Sequence, residues 1–249
     1  MCSISRSEEW AATTIAIGIN LGLYAILAAD TRTTFHRFGM PFYDDNSAKV
    51  QKTTMGLITG AGFCTLLDSV KRKLAIEQVT DTERVLGIIS EETERTLNAW
   101  RAHHQIGSWI AQTGWIFSYT TLLNDQPLLR VGVFHPSLNK EMHVTYEVGD
   151  PAIIFPVELD SGTAQVIHDL VLQKIRVPTH AAELQSSIEQ NSTVIGSVIS
   201  ELQLHCPSIS RRFQIGIHAG GQTGISGLID IRDDGTFSLN IKLDGPSSN

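Results

Sequence analysis

The stretch TTIAIGINLGLYAILAADTR, Thr13 to Arg32, decides how the rest of the chain is read. Thr13 to Asn20 is rich in β-branched residues, which pack well on a pleated surface, and reads as a strand. Leu21-Gly22 supplies a turn and Leu23 to Ala29 a second strand, so the segment is a predicted hairpin. Downstream, residues 33–46 (TTFHRFGMPFYDDN) break any periodicity and read as a loop that ends at Ser47. Lys49 to Thr59 alternates well enough for a further strand pair.

Helical spacing starts after Gly60-Ala61-Gly62, where Leu66, Val70 and Leu74 recur with Leu67 beside them. A second helix is expected from Thr80, whose hydroxyl and the Glu83 carboxylate form a capping-box pattern. Its apolar face is Val85, Ile88, Ile89, Leu97 and Trp100. Strands return at Trp115 to Leu123, Leu128 to His135 and Met142 to Val148. Asp160 or Ser161 caps a third helix with Val166, Ile167, Leu170, Val171 and Ile175 on its core face, ended by Pro178. A fourth follows from Thr179, and final strands are expected at Phe213 to His218, Leu228 to Ile231 and Thr236 to Leu243. Helices that arrive in consecutive pairs cannot act as single crossovers of a parallel sheet. Antiparallel sheets with a helix pair on each outer face fit better.

The 249 residues are 42% hydrophobic and 18% charged, ordinary values for a globular chain able to bury one core. A formal net charge of −7 with no Lys/Arg-rich run argues against a nucleic-acid partner. Met1 to Trp10 is polar and lacks the apolar stretch of a secretory signal. No apolar run is long enough for a membrane span, so a soluble, cytoplasmic protein is expected. The three cysteines, Cys2, Cys64 and Cys206, form no C-x-x-C pair. His103-His104 and His135 have no acidic residue at ligand spacing, so no metal site is expected. No linker or repeat divides the chain. The expected organisation is an extension or propeptide over residues 1–12, one domain over 13–244 and a tail over 245–249.

The opening hairpin with its A-A-D-T-R end, the following S-A-K-V, and a G-A-G that opens a helix together resemble the first third of a proteasome β subunit or its bacterial relatives. The residue-level match covers about residues 13 to 75, and the order of helix pairs extends it in outline along the chain. The resemblance implies the N-terminal nucleophile (Ntn) hydrolase fold, an α+β, four-layer αββα sandwich of two antiparallel sheets flanked by helix pairs. It carries the nucleophile to Thr13 or Thr14, the carboxylate to Asp30 beside Arg32, the ammonium to Lys49, and the Gly-rich turn to Gly60 and Gly62. Thr14 keeps the family's interval to Asp30 without a gap. Thr13 gives the better Thr-Thr-Ile match and is favoured. Ser161, before Gly162, and Ser210 match supporting serines, whereas Pro207 falls where the family has an Asp.

These residue types also make chemical sense together. A threonine hydroxyl is a weak nucleophile until a base takes its proton, and a free α-amine on the same residue can do so. A nearby ammonium favours the ionised oxygen, and a carboxylate holds that ammonium in place. Glycine-rich backbone before a helix offers N–H groups to an oxyanion. The amine exists only if the residues before the threonine are removed. Cys2 is a rival nucleophile if Met1 alone is lost, but it lies eleven residues before Thr13. Two functions follow. One is a threonine-type hydrolase acting on a peptide or protein substrate in a homo-oligomeric ring, without a cofactor. The other is an unprocessed, non-catalytic scaffold or binding subunit of the same fold.

Overall fold

The computed structural model describes residues 8–10, 14–37, 40–139, 141–241 and 243. Its first strand, β1 (Glu8–Trp10), precedes the hairpin β2 (Ala16–Asn20) and β3 (Tyr24–Asp30). Residues 33–46, expected to be a loop, instead form β4 (Thr33–Arg37) and β5 (Met40–Asp44), and β1 pairs with β4. The β6 (Gln51–Thr53) and β7 (Gly56–Ala61) hairpin leads into α1 (Cys64–Glu77), α2 (Thr82–Ala99) and a short α3 (Ile106–Ala111). Next come β8 (Gly114–Leu123), β9 (Gln126–Phe134), β10 (Val144–Thr145) and β11 (Pro151–Ile154). The chain continues through α4 (Ser161–Lys174), a 3-10 turn at Ala181–Glu183 and α5 (Leu184–His205). It ends in β12 (Arg212–Ala219), β13 (Gln222–Ile225) and β14 (Ile229–Asp230).

Every strand pair among the described residues is antiparallel. One sheet runs β11-β2-β3-β12-β13, with β14 also on β12, and a second runs β10-β9-β8-β7-β6. Strand side chains alternate between faces, so each strand serves two cores. Ile17, Ile19 and Ile26 face one core with Ile167 and Val171 of α4 and Ile195, Ile199 and Leu202 of α5. Ala16, Ala25 and Leu27 turn the other way, onto Leu57, Ile116 and Val131 of the second sheet. On the far side of that sheet, Ile58, Trp115 and Phe117 pack on Leu66, Val70, Ile88 and Ile89 of the first helices. The α5 helix is keyed to β3 by polar bonds as well. Tyr24 Oη lies 2.9 Å from Ser187 Oγ and accepts from Asn191 Nδ2 at 2.9 Å.

Several expectations are corrected. The α2 cap is Asp81, whose carboxylate accepts from the Arg84 amide at 2.7 Å; Thr80 lies one residue too early. The buried stripe of α2 continues through Glu92 and Thr96, which leaves Leu97 exposed, one helical step off the face. Val166 is 68% exposed for the same reason, beside the buried Ile167 and Val171. The Met142 to Val148 strand shrinks to Val144–Thr145. Residues 236–241 form no strand, because no strand among the described residues offers them a ladder. Their alternating Phe237, Leu239 and Ile241 still pack against the α4–α5 core. The expected extension overlaps β1 only at residues 8–10, and the tail at 245–249 lies outside the described residues. Among the described residues, no helix is long and apolar enough to cross a membrane.

Candidate active site

Antiparallel pairing of β2 with β3 brings the residues just before β2 beside the last residue of β3. Asp30 is fully buried there and accepts three backbone N–H bonds, from Ile15 at 3.1 Å, Arg32 at 2.9 Å and Ser210 at 3.2 Å. Lys49 reaches the same point from the segment before β6. Its own amide and that of Val50 are held by Gln214 Oε1, at 3.0 and 2.9 Å. The Lys49 ammonium donates to Thr14 Oγ1 and to the Arg32 carbonyl, and stands 3.7 Å from Asp30 Oδ1. A threonine hydroxyl, an ammonium and a carboxylate therefore meet in a place nearly closed to water.

Burial sets the electrostatics. It pulls the Lys49 ammonium below its ordinary value, an effect that the Asp30 carboxylate opposes. It pushes the Asp30 carboxyl up, against Lys49 and the three amides. An ionised carboxylate only accepts hydrogen bonds, so the three amides and the ammonium all suit the charged form. Lys49 with a lowered proton affinity can yield a proton more readily than a surface lysine.

Thr14, Lys49 and Gly62 line a cavity of about 170 Å³, together with Cys64, Asp68 and Lys71. Gly62 has φ +127°, and a Cβ there would stand 2.4 Å from Thr113 Cα, so only glycine fits without strain. Gly60 lies on β7 opposite Trp115. Lys71 is buried, donates to the Lys49 carbonyl at 2.7 Å and is lowered by burial to about 8. Burial, with Asp68 alongside, pushes the Cys64 thiol up to about 12, so at neutral pH it is a thiol and a poor nucleophile.

Arg32 organises the rim. Its Nε and Nη2 form a fork on Asp45, at 2.6 and 2.8 Å, and its Nη1 donates to the Pro207 carbonyl. Ser210 is buried; its amide binds Asp30 and its hydroxyl accepts from the Arg212 amide at 2.9 Å. Pro207 offers a carbonyl where the resemblance places a carboxylate. The acid that reaches this loop is Glu158, which accepts from Ser208 Oγ and is raised by burial, with Asp30 adding to the effect. Ser161 is exposed at the start of α4, and nothing among the described residues bonds it to Thr14, Asp30 or Lys49. Thr13 and Cys2 lie outside the described residues. Asp45, Lys71 and Glu158 were not singled out in the sequence. The acidic pair Asp44-Asp45 just before Ser47 is the one local signal that pointed to any of them.

Solved structures share the fold of this chain. Anbu from Hyphomicrobium sp. strain MC1, as a Gly-1 mutant, superposes with a TM-score of 0.56 at 12% identity, over 92% of this chain and 86% of that one. The fold is that of the Anbu proteins. Anbu from Yersinia bercovieri, described as an ancestral beta-subunit, matches over 82% of this chain and 81% of its own, at TM-score 0.53 and 13% identity. The helical assembly of the Anbu complex from Pseudomonas aeruginosa gives TM-score 0.57 at 12% identity, again over 82% and 81%. No protein-family model and no curated protein matches the chain.

Proposed function

We propose that the chain is a threonine-type Ntn hydrolase that cleaves peptide or amide bonds within a proteasome-like oligomer, on a four-layer αββα sandwich. The observation that carries this reading is the bond from the buried Lys49 ammonium to Thr14 Oγ1, with Asp30 3.7 Å behind it. Removal of the preceding residues would leave Thr14 with a free α-amine. That amine takes the hydroxyl proton as Oγ1 attacks the substrate carbonyl, and Lys49 stabilises the developing oxygen charge. The backbone at Gly62 is the proposed donor to the tetrahedral oxyanion. The amine then protonates the leaving nitrogen, and water releases the acyl group from Thr14. Asp30 and Ser210 position Lys49 and the Thr14 segment.

The test is kinetic. A chain released to begin at Thr14 should hydrolyse small peptide amides. Thr14→Ala should abolish turnover, and Lys49→Ala should lower kcat/KM by roughly a thousandfold or more, the scale of losing a transition-state donor. Equal rates for the parent and both variants would refute the assignment. A second reading has one observation in its favour: β1 pairs with β4 upstream of Thr14, Glu8 opposite Arg37 and Trp10 opposite Phe35. A subunit that keeps these residues would be a scaffold. Intact mass of the purified protein separates the two.

A further inference from the structure

Helix α1 carries a second ammonium into the cavity beside Thr14. Leu67 and Lys71 are four residues apart, so they share the buried face of the helix. Lys71 is thereby only 7% exposed, and its backbone carbonyl accepts from Gln51 Nε2 at 3.0 Å. Its ammonium donates to the Lys49 carbonyl at 2.7 Å, while the Lys49 ammonium bonds Thr14 Oγ1. A single residue, Lys49, thus links the attacking hydroxyl to the Lys71 charge.

The bond to Lys49 uses one of the three N–H groups of the Lys71 ammonium. Among the described residues that ammonium makes no other hydrogen bond and no ion pair. Lys49 differs, because Asp30 stands 3.7 Å from it. Asp68 also lines the cavity, but it is exposed, so water weakens its field. Cys64 is a neutral thiol there, raised to about 12. Lys71 itself lies at about 8, lowered mainly by burial, with Asp68 and Cys64 opposing and Lys49 adding to the effect. The charged form therefore predominates at neutral pH. A buried charge without a counter-charge is costly, and an arriving carboxylate relieves that cost. Leu67 and the half-buried Phe35 supply apolar wall beside it.

We propose that this cavity selects substrates with an acidic side chain on the residue whose carbonyl Thr14 attacks, and that Lys71 recognises that side chain. The proposal rests on the hydrolase reading for the position of the scissile bond. Thr14 and the proposed oxyanion donor Gly62 line the same cavity, so a side chain on the attacked residue enters it. Its carboxylate accepts from the remaining N–H groups of Lys71, and its methylenes meet the apolar wall. Glutamine, the neutral isostere, makes a hydrogen bond without the ion pair.

Two measurements test it. The full chain, isotope-labelled at lysine Cε, is titrated by NMR with acetylated Ala-Ala-Glu, Ala-Ala-Gln and Ala-Ala-Lys amides, the Lys71 resonance being assigned by its loss in Lys71→Met. A bound carboxylate favours the charged amine. Saturating Glu peptide should therefore raise the Lys71 midpoint from about 8 to about 9 or above, and the Gln and Lys peptides should not. In the chain that begins at Thr14, kcat/KM at neutral pH should favour fluorogenic Glu over Gln peptide amides by roughly tenfold or more, the scale of a hydrogen bond to a charged group. That preference should fade above about pH 8, as free Lys71 loses its proton, and Lys71→Met should bring the ratio near one. Hydrolysis without a Glu preference, or a preference that Lys71→Met retains, overturns the proposal and leaves the hydrolase reading in place. A Glu-specific rise at Lys71 with no hydrolysis of any peptide refutes the hydrolase reading and keeps the acid-binding cavity. No rise at Lys71 overturns the proposal.

Discussion

Lys49 has three partners for three ammonium hydrogens or nearby charges: Thr14 Oγ1, the Arg32 carbonyl and Asp30. Lys49→Met should therefore strand the buried Asp30 carboxylate with its amides alone. Losing one member of a buried pair destabilises by about 3–5 kcal/mol, and the amides should hold the loss near the lower figure in urea unfolding. Lys71 makes a separate prediction. Its folded-state value is about 8 against an ordinary 10.5, mainly through burial. Between these values the unfolded chain binds the proton that the native chain lacks, so stability rises with pH across that window. The penalty is fully present below about 8 and lifted above about 10.5. Unfolding of wild type and Lys71→Met at pH 7.5, 9 and 10.5 should show a difference that shrinks with pH by at most about 3 kcal/mol. A pH-independent difference would contradict the assignment. Asp30 and Lys49 were readable as a pair because they fall in a fixed order behind one hairpin. Lys71 was not, since a lysine beside Val70 looks like the solvated edge of a helix until the fold lays Lys49 over it.

The turn between β7 and α1 is the element most sensitive to a single methyl. Gly62→Ala should destabilise by about 2 kcal/mol or more, through a φ of +127° and contact with Thr113, measured by thermal unfolding. The same change at Gly107, where a Cβ meets nothing within 4 Å, is the matched control. Elements with strong periodicity were legible: the β2–β3 hairpin, α1, α4 and the β8–β9 pair. Elements made by partners were not. The sequence of β4 and β5 shows no alternation, so their pairing depends on the ladder itself. Residues 237–241 alternate as a strand does, but lie over the α4–α5 core and pair with no strand among the described residues. Asp45 belongs to this group, because its role arises when the β4–β5 hairpin returns it to Arg32.

Taken as one molecule, the described residues form two large antiparallel sheets and a smaller three-stranded one, with three apolar cores and an Anbu-like fold. The hydrolase reading requires that Thr14 become the first residue of the mature chain. A peptide α′,β′-epoxyketone reports on this directly, because its ketone captures the hydroxyl and its epoxide captures an α-amine on the same residue, with no atom lost. Mass spectrometry of the chain that begins at Thr14 should show one adduct of full reagent mass on its N-terminal peptide, absent in Thr14→Ala. An unmodified N-terminal peptide, or an adduct on Cys64 in its place, would contradict the account.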